Sequence, residues 1–193
     1  MWSGAFTFRG WSWSAVIIGA IAALIFQALL SMLGFGLGLL TIDVPTAESA
    51  PRAVTWAVFA WWVASGVISA FAAGWIAANF SETFSAEGRA THALLAWAVA
   101  TLVVIAATGL TASNSVAGSL GGPAGTAFAQ YQSLTAPGAT RPSAAQVESA
   151  RRNLALVMLG SFVALIVGAG AAVGGSQWLP DEATRRQTTA LPT

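Results

Sequence analysis

Four blocks of this chain carry no charged side chain: residues 14–42, 54–81, the first half of 90–141, and 153–180. Each holds about 20 or more consecutive, mostly apolar residues, the length at which a helix crosses roughly 30 Å of hydrocarbon. Inside the blocks, small residues return at every fourth position. The pattern predicts an all-α, polytopic membrane protein: a four-transmembrane-helix bundle with spans at about 14–41, 54–80, 90–112 and 153–178.

The polar segments punctuate these spans. Residues 1–13 interleave Trp2, Phe6, Phe8, Trp11 and Trp13 with Ser, Gly and Arg9, a mixture suited to the lipid headgroup layer. The first apolar block is about twice the usual core of a signal peptide, so it reads as a retained helix. Pro45 and Pro51 break the chain between the first two spans, and 81–89 makes a short second connection. The third connection, 113–142, is rich in Gly, Ala, Ser, Thr and Pro and has no clear periodicity. It reads as a structured loop, a re-entrant turn or a flexible tether. Ser143 then opens a helix, with Gln146 at the spacing that lets each side chain satisfy the other's backbone N–H. No proline follows until well past Gly174, which predicts an extended fourth helix of about 32 residues, roughly 48 Å, entering lipid near Leu154. Residues 1–180 form one bundle on this reading, and 181–193 a disordered polar tail.

The small residues mark where helices can approach closely. Span 2 presents Gly66, Ala70 and Gly74, span 4 presents Gly160, Ala164, Gly168 and Ala172, and span 1 adds Gly34 and Gly38. Lipid tails are as apolar as leucine, so close backbone approach through small residues supplies much of the contact energy between membrane helices. Packing within one bundle is the first reading of these rows. An interface between copies, or the lining of a pore, is the second.

Composition narrows the chemistry. The chain is 56% hydrophobic and 8% charged, against about a quarter charged in ordinary soluble domains. It has no cysteine, which removes disulfides, thiol catalysis and thiolate metal sites. All eight basic residues are Arg, so no lysine Schiff base or phosphate-loop lysine exists. They are balanced by seven acids, leaving no basic stripe for nucleic acid. The interior polar groups, Gln27, Ser31, Ser65, Ser69, Thr101, Thr108 and Ser161, are all uncharged. Coupled transport relies on ionisable groups along the pathway, so a secondary transporter is not expected.

His92, the single histidine, begins span 3 near Glu87 and Arg89. Imidazole titrates near neutrality and suits a proton relay, yet no ionisable partner occurs within any span, which favours a plain interfacial histidine. One histidine builds no nucleophile–base pair, so no enzyme activity, cofactor or metal is assigned. Arg151 and Arg152 beside Glu148 form a candidate lipid-headgroup site, weighed against simple anchoring of the helix. Trp61, Trp62 and Trp97 lie deep in their spans and read as packing residues rather than a pigment or quinone pocket.

The stretch from Trp11 to Ala20, followed by Gln27 and the Gly34–Gly38 run, resembles a group of bacterial multi-pass inner-membrane proteins of unknown function. Trp61-Trp62, Ser65-Gly66, Gly74-Trp75 and the segment from His92 to Trp97 are similar to that group as well. The resemblance covers about half of the chain, and its motifs are packing motifs. Some of those proteins carry the label "PhnA-like"; the soluble protein behind that label resembles a cysteine-bearing zinc ribbon, for which this chain has no residues. The resemblance implies a bacterial inner-membrane location and no activity. Leaving out mid-loop Arg141, the arginine balance tips toward cytoplasmic termini. The expected function is non-enzymatic, through helix–helix packing, with the lipid bilayer and either a second copy or another membrane subunit as partner. A small oligomeric channel lined by Gly/Ser helix faces is the alternative.

Overall fold

The computed structural model describes residues 12–41, 52–81, 85–110, 122–135 and 142–178. Five helices make up these segments: α1 Trp13–Thr41, α2 Arg52–Phe80, α3 Ala86–Leu110, α4 Gly122–Thr135 and α5 Ala144–Gln177. All but α4 are long and apolar enough to cross a membrane. The protein is thus all-helical among the described residues, with four helices of membrane-spanning character. The 181–193 tail and the 1–11 aromatic segment lie outside the described residues.

Helix bounds follow the apolar blocks, with two differences. The third connection contains α4, which starts at Gly122-Pro123. Proline suits a first helical turn, where its missing N–H has no intrahelical role, but the Ala, Gly, Ser and Thr that follow produce too weak a pattern to reveal the helix. α3 begins at Ala86, so Glu87 and Arg89 sit in its first turns rather than in a loop. α5 runs 34 residues, about 51 Å. At its start the Ser143 side chain accepts from the Gln146 N–H and the Gln146 side chain accepts from the Ser143 N–H, the reciprocal cap read from the spacing.

α2 and α3 form the middle of the bundle, and α1 and α5 each rest on both. α1 and α3 run one way, α2 and α5 the other: Gly19 lies beside Ala77, Trp97 beside Gly168, and Phe71 beside Gly175. α4 packs on α5 and touches α2.

The interior inverts that of a soluble bundle. Among the described residues every buried hydrophobic side chain is alanine except Val16, while Ile21, Ile25, Leu29, Leu159, Phe162 and Ile166 are exposed. Small residues let helix axes approach, and the large apolar chains turn outward where only hydrocarbon would accept them.

The two ends of the bundle differ. At the end shared by the start of α1 and the finish of α5, Ala73, Ala77, Ala93, Ala96 and Ser176 are fully or nearly fully buried. Polar ties close this end. The His92 Nε2 accepts from the Ser12 N–H at 3.2 Å and its Nδ1 lies 2.8 Å from the Gly88 carbonyl. Gln177 donates to the Ala86 carbonyl at 3.2 Å. Toward the other end the helices separate around a cavity.

Candidate functional site

The small-residue rows meet first on α2 and α5. A Cβ added at Gly74 would fall on the Ala172 backbone, and one at Gly175 on the Phe71 carbonyl. Here main chain lies on main chain, a separation only glycine permits. Ala70 and Ala172 are buried together with Ala93. One turn back from Ala172, Gly168 lies beneath the Trp97 indole, whose Nε1 would be 3.0 Å from an added Cβ. Gly160 faces the tip of Phe59, with an added Cβ 2.6 Å from the ring.

The remaining predicted positions divide. Gly34 seats the ring of Trp61, and the same indole donates from Nε1 to the Leu30 carbonyl at 3.0 Å. Among the described residues nothing lies within 4 Å of a Cβ added at Gly38 or its neighbour Gly36. Gly66 has only the Gln27 Oε1, at 4.0 Å. Ala164 lies in the wall of the cavity.

Sequence reasoning passed over two close contacts. Gly19 meets Ala77, Ala96 and the Ala73 carbonyl, and its own row, Ala15, Gly19, Ala23, has the four-residue step that marked spans 2 and 4. Gly175 stands just outside the α5 row, displaced because 3.6 residues per turn carries a four-step row slowly around the helix.

The cavity measures about 510 Å³ and all five helices contribute to it. Its wall includes Gln27 from α1, Gly66 and Ser69 from α2, Thr101 from α3, Phe128 from α4 and Ala164 from α5. Among the described residues no charged side chain lines it. A short polar chain runs along one side: Gln27 Nε2 donates to Ser65 Oγ at 3.2 Å, Ser65 Oγ to the Trp62 carbonyl at 2.9 Å, and Ser69 Oγ to the Ser65 carbonyl at 2.8 Å. Trp61 packs on Gly34, whereas Trp62 and Trp97 are cavity-lining residues. Thr108 carries no described side chain.

Arg151 is already engaged. Its Nε and Nη2 donate to the two oxygens of Glu148 at 2.9 and 2.8 Å, so its planar fork is occupied by a carboxylate. Arg152 is exposed beside it. Among the described residues no group of three His, Asp or Glu side chains converges. The chain matches no family model, no curated protein and no solved structure.

Proposed function

We propose that the protein acts, without catalysis, through contacts between membrane helices, as a homo-oligomer or as an accessory subunit of a larger membrane complex. The observation that carries this reading is a second small-residue row, on the outer face of α5. Gly170 and Gly174 are one turn apart, and among the described residues an added Cβ at either would meet nothing within 4 Å. Val163 and Ile166 extend the same face and are exposed. Glycine weakens a helix by roughly 0.5–1 kcal/mol relative to alanine, and the row offers a partner helix the close approach that Gly74 and Gly175 offer within the bundle. The channel reading is less well supported: Gln27, Ser69, Thr101 and Ser161, from α1, α2, α3 and α5, line a single cavity whose wall is mainly apolar. A location in the bacterial inner membrane, with cytoplasmic termini, belongs to the same proposal and draws on the sequence resemblance and the arginine balance.

The test is the assembly state of the full chain in mild detergent, by native mass measurement, for the wild type and a Gly170→Leu, Gly174→Leu double variant. The expected result is an oligomer or a co-purifying subunit in the wild type, and its loss in a folded variant. Assembly unchanged by the double substitution would remove this surface from consideration.

A further inference from the structure

The cavity wall holds a buried hydrogen-bonding group that nothing answers. Among the described residues, the Ser161 hydroxyl in its wall is buried with no hydrogen-bond partner, and Gln27, Trp62, Trp97 and Thr101 line the same cavity. Ser161 is 9% exposed, so its hydroxyl is cut off from bulk solvent. Away from water, each such group costs free energy, and native interiors leave few of them. The Ser161 and Thr101 hydroxyls and the Trp62 and Trp97 indoles can all donate, and among the described residues the wall carries no charge that would stabilise an anion. A volume of about 510 Å³ is that of a site for a small organic molecule.

We propose that this cavity binds one neutral lipid bearing a carbonyl group, its hydrocarbon body against Leu24, Val67 and Ile105 and its carbonyl accepting from the Ser161 hydroxyl and the donors that line the wall with it. A free carboxylate or phosphate head is disfavoured because no cation among the described residues faces it. Trp62 and Trp97 suit such a ligand doubly, each with an apolar ring and one N–H. Phe128 and Gly125 place α4 along the cavity wall, giving a function to the helix in the third connection.

The test uses the full chain in phosphatidylcholine nanodiscs and a monoacylglycerol probe with a diazirine in its chain and an alkyne tag. Irradiation is expected to give saturable labelling of peptides from α3 and α5 that include Thr101 and Ser161. Excess unlabelled monoacylglycerol should suppress it, and whether a prenylated benzoquinone also does so distinguishes an ester from a quinone as the carbonyl source. A free fatty acid of equal length should compete about tenfold less well, the factor set by one charge-compatible hydrogen bond. Gly66→Leu, which directs a side chain into the cavity from a position with room for a Cβ, should lower labelling at least about tenfold. Labelling that does not saturate, that falls only on outward residues such as Phe162, that neither carbonyl compound suppresses, or that persists in folded Gly66→Leu overturns the proposal. Equal competition by the fatty acid does so too. Should Gly66→Leu not fold, Thr101→Val with Ser161→Ala decides: a loss of preference for the ester over a head-free hydrocarbon supports the site, and an unchanged preference overturns it.

Discussion

Gly74 on α2 and Ala172 on α5 meet main chain to main chain, with no space between them for a single methyl group. An added Cβ at residue 74 would lie 2.9 Å from the Ala172 Cα and closer still to its carbonyl. Backbone in the middle of a helix cannot step aside as a side-chain tip can. Gly74→Ala should therefore lower stability by about 1–3 kcal/mol, the usual cost of overpacking. Gly36→Ala, where nothing lies within 4 Å, should be neutral or gain up to about 1 kcal/mol. Thermal unfolding of the two variants in the same detergent measures the contrast, and similar behaviour would contradict the close α2–α5 contact.

Gly34 tests the same logic with a softer neighbour. A Cβ there would overlap the Trp61 ring, but that indole is 37% exposed and can swing toward lipid. Gly34→Ala should cost less than Gly74→Ala, about 1 kcal/mol, mainly through loss of the Trp61–Leu30 hydrogen bond. Trp61→Phe should cost about the same, and combining the two should add little, since both remove one interaction. Additive losses in this cycle would mean the indole stays seated.

His92 ties the start of α1 to α3 through the Ser12 N–H. With Nε2 accepting from that N–H, the proton resides on Nδ1, which donates to the Gly88 carbonyl. His92→Ala leaves a part-buried N–H without its acceptor and should cost about 1–3 kcal/mol. Hydrogen exchange should quicken at the first turn of α1 and change little at the α5 cap, which shares no contact with it.

The α5 start gives a pair of opposite expectations. Ser143→Ala removes one half of the reciprocal cap and should cost about 0.5–2 kcal/mol, seen as faster exchange over residues 144–147. Arg151→Ala breaks a two-bond ion pair with Glu148, yet both side chains are well exposed. Pairs of that kind contribute little, so unfolding should be unchanged within error.

The helices were legible because charge-free runs of spanning length have few alternative folds, and the Ser143–Gln146 spacing fixed one boundary closely. Close contacts were legible where glycine recurred at four-residue steps, as at Gly74 and Gly168. The same signal around Gly19 escaped because alanine fills the rest of its row, and alanine is common throughout the chain. A four-step row also does not say which neighbour it will meet: Gly160 and Gly168 took aromatic rings, Gly74 took backbone, and Gly38 and Gly170 took nothing. The cavity was invisible in the sequence, since it depends on where helices separate, and Thr101 or Ser161 reads identically in a packed seam. α4 escaped because its residues favour neither face strongly.

The α2–α5 contact also imposes an order on assembly. Chains are made from the N-terminus, so α1, α2 and α3 emerge before α5 exists. Until then the groove over Gly74 and Phe71 has only lipid to fill it, and the cavity lacks the wall formed by Ser161 and Ala164. α5 is thus the keystone of the bundle, and a ribosome that stops short of it leaves a fragment with three helices of spanning length whose open groove would accept the α5 of another chain.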